Sequence, residues 1–305
     1  MQLDGIHHVT AITGDAPRNV DFYTRVLGLR MVKKTVNQDD PTVYHLFYAD
    51  EKGSPGSDIT FFEYPGAARG RAGAGMVERV AFRVGGSDAL DFWAERLGAE
   101  GIDTERDGDA LRFDDPEGLG LELRAVAVDD EPLVAVHSEI PAELAVQGFD
   151  RVRALTRDPD QSRPLLERVL GFAPGGESDF EVRGPSRGGS YVYGRSDERG
   201  VQGAGTVHHV AWAAQMDDIE SWRQRVSESS DAHPTPVIDR FWFRSVYFRE
   251  PSGVLFEIAT LGPGFATDED PEHLGERLVL PPAFEHLRDK VEQTLTPLPV
   301  PAGRS

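Results

Sequence analysis

A five-residue pattern near the N-terminus, Ile6-His7-His8-Val9-Thr10, returns some two hundred residues later as Val207-His208-His209-Val210-Ala211. Both copies read as short strands with a polar pair inside an apolar frame, and both lead into a helix start marked by acidic residues or proline. A chain that repeats such a unit is assembled from copies of one module, so the repeat constrains the fold before any single element does.

Four copies are legible, each a strand, a helix opened by Asp, Ser or Pro, and short strands ending in an apolar run. The first opens at Ile6 to Thr13, has a helix expected near Ala16 to Leu27 with Asp15 as cap, and closes at Asp58 to Tyr64. The second opens at Glu78 to Phe82, with a helix near Asp88 to Leu97, and closes around Pro116-Glu117-Gly118. The third opens at Asp150-Arg151-Val152, and its helix near Ser162 to Leu170 repeats the Val-Leu-Gly ending of the first. The fourth opens at His208, with a helix near Asp217 to Val226, and closes around Pro251-Ser252-Gly253. Phe113 to Glu122 and Phe248 to Glu257 share one spacing across equivalent turns, so Glu122 stands where Glu257 stands.

The expected architecture is therefore α+β: four βαβββ modules paired into two domains. Residues 1–125 hold the N-terminal pair, 126–147 a connecting segment rich in Asp, Glu and Pro, 148–262 the C-terminal pair, and 263–305 an extension with a short helix near Ala283 to Leu295. Arg69 to Gly75, glycine-rich but without a Lys-Ser/Thr ending, reads as a flexible linker.

Composition narrows the chemistry. Cysteine is absent, so any metal must be held by His, Asp or Glu. A net charge of −20 argues against nucleic acid as a partner. No apolar run nears the roughly 20 residues that span a bilayer, and Met1-Gln2-Leu3-Asp4 has no secretory character, so no membrane partner and a cytoplasmic location are expected. At the opening-strand position the modules read His8, Arg79, Arg151 and His209, so only the first and fourth keep a ligand type. One metal site shared between the two ends of the chain follows, with Arg79 and Glu122 expected to pair in a relict second site.

This arrangement resembles the vicinal oxygen chelate superfamily. The order of Ile6-His7-His8-Val9-Thr10, Tyr44-His45-Leu46-Phe47-Tyr48-Ala49-Asp50, Val207-His208-His209, Arg240, Tyr247, Phe256-Glu257 and Asp268-Glu269-Asp270 is most similar to the hydroquinone-type ring-cleaving dioxygenases. The resemblance implies metal ligands His8, His209 and Glu257, with His7, Thr10, His208, Arg240 and Tyr247 around the substrate. It implies Fe(II), with Mn(II) possible on the same donors, and O2 and a small aromatic diol as partners in a possible homo-oligomer. Two imidazoles and one carboxylate leave about three open faces on iron, enough for substrate and dioxygen together. His208 and Tyr247 suit acid/base work, and Arg240 would stabilise developing oxyanion charge.

Two other functions remain open at this stage. A glyoxalase-like isomerase or lyase would recruit Glu63, at the end of Phe61-Phe62-Glu63, as a fourth ligand. A metal-free ligand-binding protein would use the same cleft without chemistry. His7 and His208 could instead be packing residues, because neighbours in a regular strand face opposite sides. His45 is expected as a packed or supporting histidine, and the Asp268 to Asp270 run as a solvated turn and cap.

Overall fold

The computed structural model describes residues 1–229 and 231–299. Its strands fall into the expected groups of four. The first module supplies β1 (Ile6–Thr13), β2 (Arg30–Val36), β3 (Tyr44–Ala49) and β4 (Asp58–Glu63). The second supplies β5 (Met76–Val84), β6 (Glu105–Asp107), β7 (Ala110–Asp114) and β8 (Gly120–Ala125). The third supplies β9 (Phe149–Thr156), β10 (Ala173–Pro174), β11 (Asp179–Arg183) and β12 (Gly188–Arg195). The fourth supplies β13 (Val207–Ala214), β14 (Ile238–Asp239), β15 (Phe243–Arg249) and β16 (Leu255–Pro263).

Two eight-stranded sheets result, in the orders β14-β15-β16-β13-β1-β4-β3-β2 and β10-β11-β12-β9-β5-β8-β7-β6. Each sheet draws one module from each half of the chain: the first joins the fourth through β1 and β13, and the second joins the third through β5 and β9. The halves at 1–125 and 148–262 are therefore not separate sheet units. The reason lies in the free edges: β1 and β13 each have their own module on one side only, and antiparallel pairing satisfies the remaining backbone groups of both.

Local structure follows the sequence signals with two adjustments. The Asp15 carboxylate caps α1 (Ala16–Asp21) by accepting from the Arg18 amide, but the helix continues as a π-turn over Phe22–Val26. The third module has the same π-turn at Pro164–Val169, and Gly28 and Gly171 end these segments at φ values of 68° and 77°, open to glycine at no steric cost. The remaining helices are α2 (Ser87–Ala99), α3 (Ile219–Ser229) and α4 (Arg288–Thr294), the last preceded by a 3-10 segment over Pro282–Leu287.

Strand alternation divides the side chains. One set, including Val9, Leu46, Phe61, Trp212 and Phe256, enters the main core together with helix residues Tyr23, Trp93 and Trp222. The Arg69–Gly75 segment is not a loose linker. It pairs with residues 199–204, and a Cβ on Gly73 would lie 2.2 Å from the Gly200 nitrogen, so only glycine allows that approach. No helix among the described residues is long and apolar enough to cross a membrane.

Candidate metal centre

Three adjacent strands, β16, β13 and β1, carry Glu257, His209 and His8 at the middle of the first sheet. The His8 and His209 Nε2 atoms lie 3.2 Å apart, and the Glu257 Oε2 is 3.2 Å from the first and 2.9 Å from the second. All three residues are buried, and among the described residues they form the only such group of potential ligands. Although the nitrogens are close, neither Glu257 oxygen receives a well-directed hydrogen bond. Ligand atoms that converge on a common point, with a buried carboxylate left unpaired among them, are arranged for a cation. Two imidazoles and one carboxylate at these spacings would hold a divalent metal and leave positions open on it.

Bulges explain how adjacent histidines reach one side. The β1–β13 register shifts between Ile6 and His8, making His7 the extra residue of β1, and between Thr10 and Ala11, making His208 the extra residue of β13. His7 Nδ1 then meets His8 Nδ1 at 2.9 Å, and His208 Nδ1 meets His209 Nδ1 at 2.8 Å. His7 Nε2 also lies 3.1 Å from the Thr260 carbonyl, which can only accept. The protons follow: His7 donates from Nε2, so its Nδ1 accepts from His8, and the His8 Nε2 lone pair is left facing Glu257. Burial, reinforced by His8, pushes His7 down to about 3, which keeps the ring neutral for this role. Burial opposes ionisation of Glu257, but His8 and His209 hold its carboxyl well below the usual range.

The remaining expected residues divide. Tyr247 and Arg240 line a cavity of about 30 Å³ beside His8 and His209, walled by the aromatic rings of Phe47, Phe62, Trp242 and Phe243. Arg240 donates to both carboxylate oxygens of Asp39, at 3.1 and 2.9 Å, and through Nε to the Tyr247 hydroxyl at 3.4 Å. Its guanidinium is thus engaged rather than free. Thr10 faces Thr60, hydroxyl to hydroxyl at 2.8 Å, and His208 is exposed; neither lines the cavity. Glu63 sits away from the triad, beside the Thr296 hydroxyl and the Ala16 amide, because alternation turns it opposite to the cavity residue Phe62.

One feature was not anticipated. The acidic run is an anchor rather than a solvated turn, with Glu269 buried and Asp268 half-buried: Lys33 on β2 is fully buried and donates to Asp268 at 2.9 Å, to Glu269 and to the Phe265 carbonyl. Asp268 also accepts from the indole of the cavity residue Trp242 at 3.0 Å, so the C-terminal extension holds one wall of the site. Only Asp270 behaves as a cap, accepting from the Glu272 amide. In the second sheet the relict position is filled by charge: Glu122 pairs with Arg124 at 2.7 Å, Arg112 at 3.1 Å and Arg79 at 3.8 Å. The bulge repeats there between Val77 and Arg79, and Ala81–Glu122 has the register of Ala211–Glu257.

Comparison with known proteins places this geometry. The family profile described as Glyoxalase/Bleomycin resistance protein/Dioxygenase superfamily matches residues 5–123 and 148–258. A Bacillus subtilis protein named "Putative ring-cleaving dioxygenase MhqO" is 43% identical over 97% of both chains. A chlorohydroquinone/hydroquinone 1,2-dioxygenase from Sphingobium indicum is 31% identical over 96% of both chains. A crystal structure of a "putative dioxygenase" from Bacillus subtilis superposes with a TM-score of 0.91 at 40% identity, covering 98% of each chain.

Proposed function

The chain belongs to the Glyoxalase/Bleomycin resistance protein/Dioxygenase superfamily, and on that premise we propose that it cleaves the ring of a hydroquinone or catechol with dioxygen, using a divalent iron held by His8, His209 and Glu257. The observation that carries this reading is the convergence of three buried ligand atoms at 2.9 to 3.2 Å, with both Glu257 oxygens left without a hydrogen-bond partner. Manganese(II) suits the same donors, and the relatives named above as dioxygenases support the reaction class. Such a metal, when bound, supplies neighbouring positions for a ring oxygen and dioxygen, so that the two react without diffusing apart.

The chain's own residues do the rest. His7 fixes the tautomer that exposes the His8 lone pair, and His208 meets His209 through the same Nδ1–Nδ1 contact. Tyr247 accepts from Arg240 Nε, which leaves its own O–H proton for a group in the cavity. Burial, reinforced by Glu257, raises Tyr247 above its ordinary range, so it serves as a hydrogen-bond donor to developing oxyanion charge. Arg240, neutralised by Asp39, acts through Tyr247 and not directly on substrate. Thr10 supports Thr60 from the neighbouring strand.

The aromatic walls match the faces of a flat ring. A cavity of about 30 Å³ holds a water or two but no ring, so entry requires the Asn37–Asp39 loop to part from Arg240. In the overall reaction one ring carbon–carbon bond breaks and both atoms of O2 enter the acyclic product, with no outside reductant.

The test is oxygen uptake by protein loaded anaerobically with Fe(II) and challenged with hydroquinone, methylhydroquinone, chlorohydroquinone and catechol. Uptake matched by an absorbing ring-fission product, and lost in Glu257→Ala, is expected. A fully loaded protein that consumes no oxygen with any of them overturns the reading.

A further inference from the structure

His45 stands in the middle of β3, on the strand face that lines the cavity, yet nothing in the proposed chemistry uses it. Its Nε2 lies 2.8 Å from the Thr60 hydroxyl, which is itself 2.8 Å from the Thr10 hydroxyl. That chain of oxygens fixes the ring's orientation. The other nitrogen, Nδ1, has no hydrogen-bond partner among the described residues, and it is absent from the buried unpaired atoms, so it is open to the cavity. A histidine clamped at one nitrogen and open at the other, beside a pocket, is built to meet a ligand.

Phe62 sets the scale. Its ring centroid is 4.4 Å from that of His45 and 6.4 Å from that of His209, so His45 and the triad border the same ring. Phe47, at 3.9 Å, braces the other side of His45. His45 lines the same cavity as His8 and His209, so a single-ring substrate held at the triad through one oxygen has His45 within reach of its far end.

We propose that His45 is a substrate-contacting residue whose Nδ1 hydrogen-bonds the ring hydroxyl that lies away from the triad, selecting diols with hydroxyls at opposite ends of the ring. This rests on the ring-cleavage reading and narrows it. An ortho-diol presents both oxygens at one end and leaves Nδ1 unmatched, whereas a para-diol fills both ends. The hydroxyl is both donor and acceptor, so it pairs with Nδ1 in either tautomer that Thr60 imposes. The aromatic part of the lining, Phe47, Phe62 and Phe243, leaves small apolar ring substituents acceptable.

The experiment is an anaerobic calorimetric titration of metal-loaded protein with hydroquinone and with 4-methylphenol, which lacks the far hydroxyl, in the unaltered protein, His45→Phe and His45→Gln. One neutral hydrogen bond corresponds to a preference for hydroquinone of about five- to tenfold. That preference is expected to fall to about one in His45→Phe and to survive in part in His45→Gln, which keeps a polar end. Equal preference in the unaltered protein and His45→Phe overturns the proposal, as does a proportionate loss of both ligands, since a packing role weakens both alike. Failure of the ring-cleavage reading looks different: the unaltered, loaded protein then binds neither ligand and consumes no oxygen with hydroquinone.

Discussion

The Nδ1 atoms of His7 and His8 lie 2.9 Å apart, and because the Thr260 carbonyl takes the Nε2 proton of His7, that contact dictates which nitrogen of His8 is free for a metal. A neighbour that sets a ligand's tautomer is worth roughly 10- to 100-fold in metal affinity. His7→Phe is accordingly expected to weaken metal binding by about that factor while His8, His209 and Glu257 remain in place, as measured by competition with a calibrated chelator. Unchanged affinity would make His7 a packing residue.

Lys33 lies between two carboxylates in the interior, with its Nζ 5.0 Å from the centre of the Trp242 ring. Removing the cation strands Asp268 and Glu269, so Lys33→Met is expected to lower unfolding stability by about 3–5 kcal/mol in urea titrations. Adding Glu269→Leu should recover much of the loss. Parallel, additive losses in the two single variants and the double variant would show that the groups do not depend on one another.

Asp39 is exposed and its pair with Arg240 contributes little to the fold, but both residues line the cavity. Asp39→Ala is expected to change stability by no more than about 1 kcal/mol while raising the association rate of hydroquinone in anaerobic stopped-flow mixing. A slower association would mean that the loop recruits substrate rather than blocking it.

Burial, reinforced by His8 and His209, holds His45 well below its ordinary value of 6.5. The unfolded chain therefore binds a proton that the folded chain refuses as pH falls below about 6.5, so His45 makes stability fall in that direction and plateau above it. Urea midpoints measured from pH 7.5 to 5 should decline less steeply in His45→Gln than in the unaltered protein. Identical slopes would contradict the burial of a neutral ring at this position.

Much of the site is legible in the sequence because its chemistry recurs at matching positions. The His-His pairs mark the two bulges, and the shared spacing to Glu122 and Glu257 is reproduced residue for residue in the sheet registers. Module pairing is legible only in part: the ligand types at His8 and His209 bring the first and fourth modules to one site, but nothing local shows that β1 and β13, separated by the whole of the second sheet's sequence, join edge to edge. Asp268-Glu269-Asp270 reads as solvated because nothing local reveals that Lys33 is buried beneath it. Arg69 to Gly75 reads as flexible because the close approach of Gly73 to Gly200 is a tertiary fact. His45 is hidden for the same reason, since a histidine inside an apolar strand says nothing of which nitrogen its neighbours leave open.

The most direct test of the central claim is mass spectrometry of the product formed from hydroquinone by Fe(II)-loaded protein under 18O2. Ring cleavage at the His8, His209 and Glu257 centre predicts both labelled atoms in one acyclic product, and no product from Glu257→Ala. An unlabelled product, or labelled product formed equally well by Glu257→Ala, would contradict it.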